Sequence, residues 1–421
     1  MAKQRRVSRL KRVWRSLGPG VITGAADDDP SGIATYSLTG AQFGNQFSWA
    51  ALVTWPMMGC VQMMAARIGM VSGVGLAGAF RQKFPLWVVA LFTIALLVAN
   101  TINIASDLAA MGDAAEMLGG GPSQAWVVIF GLGICVAAVR LRYHQIAMVL
   151  QWLALALFAY VITAFVVNID WLDVLRSTFF PQLPHGKEAW AILVAILGTT
   201  ISPFLFYWQA GQEIEEQKAK GRRLRVQREG ASKRELIDRR LDVTAGTLFS
   251  NLIMFFIIVT SAATLHASGH APIETTRQAA EALRPLAGNF AYWLFSAGLI
   301  GTGLLAIPTL AGSAAYAFAE TFDWAYGLDQ KFQRAPSFYV VFMLATMSAI
   351  AIDFIGVNPI KALFWSAVVN GLLAPFVLVC MMLVATDRKI MCGQTSPPIV
   401  SFVVALTTIA MSAAAVAMFL L

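Results

Sequence analysis

The chain is 421 residues long, 58% hydrophobic and only 13% charged, with a mean hydropathy of +0.66. Soluble domains carry about a quarter charged residues, so this composition excludes a soluble enzyme or binding module and indicates a polytopic membrane protein. The net charge of +8 does not point to nucleic acid, because the basic residues fall where cytoplasmic membrane loops carry them.

Eleven stretches are apolar and long enough to cross about 30 Å of hydrocarbon. After a basic tail at 1–17, five of them fill residues 18–168, at 18–42, 48–70, 85–113, 124–141 and 145–168. A loop at 169–187 leads to five more within 188–385, at 188–214, 243–266, 288–318, 337–356 and 359–385, with a basic loop at 217–241. A short loop at 386–397 precedes the last span, 398–420, in the final segment 398–421. With a cytoplasmic N-terminus, all of the 31 lysines and arginines except Arg176, Lys187, Arg277, Arg284 and Lys361 fall on the inside. That is the positive-inside bias of a multi-pass protein of the cell (inner or plasma) membrane, and it puts the C-terminus outside. The basic run at 217–241 reads as a solvated cytoplasmic loop in contact with anionic lipid.

The first span is interrupted by Asp27, Asp28, Asp29, Pro30 and Gly32. Each charge at the centre of a bilayer costs at least about 2.5 kcal/mol, so such residues mark function. Proline removes a backbone donor and turns the residue before it away from helical geometry. Two half-helices are expected, at 18–28 and 33–42. The first ends with free carbonyls, the negative end of its dipole, pointing into the membrane. Three carboxylates beside that end are unfavourable without a cation, and no lysine or arginine lies inside a span to pair with them. The interruption reads as a cation site.

Along the third span lies Asp107, and in the sixth "ILGTTISPFLFYWQ" places Thr199, Thr200, Ser202 and Pro203 midway. A second broken helix five spans after the first is the mark of an inverted-repeat transporter whose cargo sits near the midplane. Thr199 and Ser202, three apart, share one face. Gln209 and Glu213 share another, able to line an exit, although Glu213, Glu215 and Glu216 read more simply as acids solvating the helix end. Asn370 in the tenth span is a further polar candidate. The four cysteines (Cys60, Cys135, Cys380, Cys392) imply no disulfide framework. His144, His185, His266 and His270 have no metal-ligand spacing, and the methionines scatter as packing residues.

"LGPGVITGAADDDPSGIATYSLTGAQFG" resembles the opening span of the NRAMP family of divalent-metal transporters, whose members carry Asp-Pro-Gly-Asn there. "AARIGMVSG", "IASDLAAMG" and "GLIGTGLLAIPTLAG" resemble its second, third and eighth spans. The resemblance implies an all-α LeuT-type fold. Two inverted five-helix repeats would be followed by an eleventh transmembrane helix, with helices 1 and 6 unwound at the midplane. It implies a divalent metal as transported substrate rather than cofactor, with no catalysis, no nucleic acid and no obligate protein partner besides the bilayer.

Where the family has Asp-Pro-Gly-Asn this chain has Asp29, Pro30, Ser31 and Gly32, which loses the Asn amide. The family's Met-Pro-His becomes Ser202, Pro203 and Phe204, and a later histidine falls at Gln209. Family acids of the third span fall on Asn100 and Ala110, and the ninth span has no basic residue. Thioethers favour softer metals, whereas oxygen donors suit Mg²⁺, which keeps several of its waters. The pattern resembles the NRAMP-related magnesium transporters, a branch that carries Mg²⁺ and Mn²⁺ without proton coupling. On this resemblance Asp29 is the principal ligand, Asp28 and Asp27 hold water or attract cations, Ser202 and Thr199 supply oxygen, and Gly32 supplies space. Asp107, without its basic partner, borders an aqueous path. The rivals are proton-coupled Mn²⁺ or Fe²⁺ transport, an amino-acid transporter on the same fold, and an intramembrane aspartyl protease using Asp29 and Asp107.

Overall fold

A computed structural model describes residues 19–140, 157–181, 186–267, 273, 275–328, 330–356 and 358–420. His144, His185 and His270, and the first half of the fifth expected span, lie outside the described residues. Those residues contain helices and no strand.

The first span is split as its sequence demands. Helix α1 covers Pro19–Asp27 and α2 covers Pro30–Phe43. Pro30 opens the second half at its first turn, where a missing N–H costs nothing, so α2 begins three residues earlier than expected. Next come α3 (Trp49–Ser72), the short α4 (Leu76–Arg81), α5 (Leu86–Gly119) and α6 (Ser123–Arg140). The described end of the fifth span is α7 (Phe158–Val166), and α8 (Trp171–Phe179) lies in the loop after it.

The sixth span is the second broken one. Helix α9 (Lys187–Thr200) stops at Ile201, and α10 (Pro203–Ala219) restarts on a proline. Helix α11 (Lys233–Ser261) starts ten residues before the expected 243, because Ser232 and Glu235 form a reciprocal capping box that holds a polar turn beyond the apolar core. Beyond short helical turns, four long helices follow among the described residues: α12 (Ala291–Phe322), α13 (Pro336–Asp353), α14 (Pro359–Ala385) and α15 (Pro398–Leu420).

Eight described stretches are long and apolar enough to cross a membrane. Of their most apolar windows, that of the α9–α10 pair is 89% buried and that of α6 is 22% buried. The broken span is therefore at the centre of the bundle and α6 at its lipid-facing rim. Small residues set two close central crossings, as is usual where helices pack in lipid. A methyl group on Gly24 of α1 would sit 2.4 Å from the Gly246 carbonyl oxygen of α11. One on Gly198 of α9 would sit 2.0 Å from the Ala367 carbonyl oxygen of α14. Both half-helices that lead into a break are thus pressed directly onto a continuous neighbour.

Candidate metal site

At the first break Asp29 is the N-cap of α2, with extended backbone angles. Its Oδ1 accepts hydrogen bonds from the Gly32 N–H and the Ser31 hydroxyl, each at 2.7 Å, and its Oδ2 accepts one from Asn103 Nδ2 at 3.0 Å. Three donors and the positive end of a helix dipole stabilise an anion there. Oδ1 already accepts two hydrogen bonds, and Oδ2 keeps a further lone pair for a cation or its water.

Asp27 and Asp28 turn another way, onto α11. The Ser250 hydroxyl lies 2.5 Å from Asp27 Oδ2 and 3.2 Å from Asp28 Oδ1. Asp27 Oδ1 and Asp28 Oδ2 are buried without a hydrogen-bond partner. Two carboxylates around one hydroxyl are under-compensated, since each buried ion costs several kcal/mol even after relaxation. None of the ion pairs among the described residues reaches Asp27, Asp28, Asp29 or Asp107. The three neighbouring aspartates do not form one cage, and no group of three or more His, Cys, Asp or Glu converges on a metal-sized site among the described residues.

Gly32 faces this centre closely. A methyl group placed on it would lie 3.3 Å from both the Asp27 carbonyl oxygen and Tyr36 Cε2. An Asn side chain there would have to displace one of them, so the close packing around Gly32 takes no larger side chain without a shift. The Tyr36 hydroxyl accepts a 3.2 Å hydrogen bond from Thr199, which links α2 to the end of α9.

The second break satisfies itself. The Ser202 hydroxyl donates to the Thr199 carbonyl at 2.9 Å and also contacts that of Gly198, while the Ile201 N–H takes the Leu197 carbonyl at 2.9 Å. The expected orphan carbonyls at the end of α9 are therefore largely occupied. No hydrogen bond joins Ser202 to an aspartate among the described residues. Asn370 on α14 is buried beside the Gly371–Gly198 crossing, with its Oδ1 unpartnered.

Helix α5 lays Asn100, Asn103 and Asp107 along one face, at intervals of three and four residues. Asn100 is structural, since its amide donates to the Leu310 carbonyl and Ser313 hydroxyl of α12, each at 2.8 Å. Asp107 lies near enough to Asp29 for the charges to act on each other, and neither of its oxygens has a hydrogen-bond partner within ordinary geometry. Asn103 was not among the residues picked from the sequence. Its spacing with Asp107 was the signal that pointed to it.

Gln209 and Glu213 are not at this centre. They belong to a polar cluster at the end of the bundle that carries the 220–232 connection. The Thr23 hydroxyl donates to Gln209 Oε1 at 2.7 Å, and the Gln209 amide donates to Glu213 Oε1 at 2.7 Å. Arg239 Nε is 2.7 Å from Glu213 Oε1, and the same guanidinium pairs with Glu216 and Asp242. Asp242 in turn accepts the Gly20 N–H of α1 at 2.8 Å. This corrects two expectations. Glu213 is buried rather than solvated, because Arg239 neutralises it. Arg228 and Arg239, within the run expected to be a solvated loop, are themselves buried, Arg228 by donating to the Gly73, Arg222 and Arg223 carbonyls.

An open cavity of about 750 Å³ lies elsewhere, among Val167, Thr264, Arg277, Gln278, Glu281 and Arg284. Two arginines on its wall make it a poor seat for a cation.

Comparison with known proteins agrees with this geometry. The family model described as natural resistance-associated macrophage protein-like (Nramp) matches residues 20–421. The divalent metal cation transporter MntH of Caldanaerobacter subterraneus subsp. tengcongensis is 27% identical over 406 residues, covering 91% of this chain and 87% of its own. The protein of the same name from Acidiphilium cryptum is 27% identical over 401 residues, covering 90% and 84%. Among solved structures, the Eremococcus coleocola manganese transporter, bound to an aromatic bis-isothiourea substituted compound, superposes with a TM-score of 0.76 at 16% identity. That match covers 96% of this chain and 86% of the other. The inward-facing conformation of Mhp1 superposes with a TM-score of 0.53 at 15% identity, over 96% and 90%. The fold is the expected LeuT type, with its first and sixth helices unwound, and the relatives are transporters, which leaves the protease reading without support. A charged first break, a hydroxyl-lined second break and a family match over nearly the whole length together make this chain a member of the Nramp family.

Proposed function

We propose that this protein, a divalent-metal transporter of the Nramp type, carries Mg²⁺ as its preferred cargo, accepts Mn²⁺, and moves both by alternating access without proton coupling. The observation that supports the cargo is the donor chemistry at the two breaks. Asp29, the Asp27 carbonyl, Thr199, Ser202 and Tyr36 offer oxygen, and neither break carries a Met, His or Cys. Oxygen donors suit hard cations, and Mg²⁺ retains water. With Gly32 where the family has Asn, no side-chain amide at that position competes with water beside Asp29.

One observation favours the alternative, proton-coupled Mn²⁺ transport. Asp107 is a buried carboxylate without a hydrogen-bond partner beside Asp29, and such a group can hold a proton. The relatives' names, which specify divalent metal cation and manganese transport, lean the same way.

Purified protein in liposomes, with Mg²⁺ and Mn²⁺ uptake followed beside an internal pH dye, separates the two. Mg²⁺ influx without acidification is the expected result. Mn²⁺ influx with acidification and no Mg²⁺ influx overturns the proposal in favour of the coupled reading.

A further inference from the structure

Helix α8 is not used by the transport site, and its nine residues divide into three faces at 100° per residue. One face meets protein. Val174 is fully buried, and the Thr178 hydroxyl lies 3.0 Å from Ser48 Oγ. A second face is polar and exposed, with Asp173 and Arg176. Asp173 also accepts a 2.9 Å hydrogen bond from Asn45 Nδ2. The third face is apolar and bare: Leu172 is 78% exposed, Leu175 50% and Phe179 62%. A soluble surface rarely leaves three large apolar side chains together without an occupant.

The neighbouring helix shows what the occupant is. The Trp171 ring stacks on Phe165 of α7, with centroids 5.5 Å apart and planes 27° apart. Phe165 is exposed together with Ile162 and Val166, on the apolar helix that ends the expected fifth span, and a spanning helix has lipid around it. The bare face of α8 thus continues a lipid-facing surface without a gap. At about 1.5 Å per residue the helix is far too short to cross the bilayer. Asp170 caps its start, accepting from the Leu172 and Asp173 N–H groups at 3.0 and 3.2 Å, so the helix is held as a separate element. A tryptophan and an arginine flanking an apolar face are the side chains that suit a headgroup boundary.

We propose that Trp171–Phe179 is an in-plane anchor. It lies on the membrane face opposite the 220–232 connection, with Leu172, Leu175 and Phe179 in the acyl boundary and Arg176 among headgroups. Through Asn45 and Ser48 it fastens the turn that joins α2 to α3. The outer end of the half-helix that carries Asp29 at its start is therefore moored to the bilayer surface.

Site-directed spin labelling in proteoliposomes tests this. With Cys60, Cys135, Cys380 and Cys392 replaced by serine, single labels are placed through Leu172→Cys, Leu175→Cys, Phe179→Cys, Asp173→Cys and Arg176→Cys. Collision with oxygen relative to a water-soluble nickel chelate is then measured at each. The expected result is a ratio several-fold higher at 172, 175 and 179 than at 173 and 176, with the first three at a common depth. Equal ratios at all five positions overturn the proposal, because the helix is then in water. Shielding of 172, 175 and 179 from both reagents overturns it in favour of a protein partner such as a second copy. A depth that increases steadily along the helix overturns it in favour of a penetrating segment.

Discussion

The two breaks are alike in backbone, but the first is acidic and the second neutral. Both end a half-helix pressed onto a continuous neighbour through glycine, and both restart on a proline, Pro30 and Pro203. At the second, Ser202 and Ile201 turn back and occupy the carbonyls that the break exposes, so it is stable without a ligand. At the first, Asp27, Asp28 and Asp29 share a few neutral donors and leave two carboxylate oxygens unpartnered. A break alone makes room. On the proposed function the cation requirement comes from the carboxylates, and the second break would tune which cation is accepted.

The comparison can be broken most directly at Asp29. Asp29→Ala should abolish Mg²⁺ and Mn²⁺ uptake in liposomes, and unchanged flux would remove the first break from the transport site. The next largest effect is expected at the opposite end of α1. Arg239→Ala strands Glu213 and Asp242 in a buried site, and breaking such a pair costs about 3–5 kcal/mol, to be read as a lower melting temperature in detergent. A melting temperature equal to wild type would mean that water already screens the cluster. Ser250→Ala removes the one hydroxyl shared by Asp27 and Asp28. A loss of about 1–3 kcal/mol in stability without added metal, recovered in part by millimolar Mg²⁺, would show that the two acids meet a cation.

A smaller effect is expected at the neutral break. Ser202→Met should move the Mn²⁺-to-Mg²⁺ uptake ratio upward several-fold at similar stability, and an unchanged ratio would mean the second break does not tune selectivity. The smallest belongs to the surface pair Lys83–Asp387, 2.5 Å apart. Lys83 holds the Asp387 carboxyl below the ordinary carboxylate range. Whatever this pair contributes is present at neutral pH and is lost only as pH falls through that lowered value. Asp387→Asn should therefore leave uptake at pH 7 unaltered.

Much of this architecture was legible because proline, glycine and buried charge obey local rules. Both breaks fall where Pro30 and Pro203 require them, and α14 covers the expected 359–385. The start of α11 was missed because hydropathy marks where the apolar core begins, whereas Ser232 and Glu235 begin the helix outside it. At the site, Asp29 and Gly32 could be picked from the sequence because an acid and a helix breaker stand out in a span. Ser250 and Tyr36 could not, since a lone hydroxyl in an apolar helix has no distinguishing spacing. Arg239 was hidden for the opposite reason. It is one of many basic residues in a run, and only the fold shows that it turns inward to Glu213 while its neighbour Arg240 stays exposed.

The way α1 is fastened bears on how quickly its end can come away. The ion pairs of the Arg239 cluster join α11 to α10 through Glu213 and Glu216 and stay within α11 at Asp242. Among the described residues, helix α1 reaches that cluster through the Gly20 N–H and the Thr23 hydroxyl. A door leaf held by two light catches can swing while its frame stays bolted. Detaching α1 there breaks at least these two hydrogen bonds, each worth about 0.5–3 kcal/mol net, and leaves each buried charge of the frame with its partner.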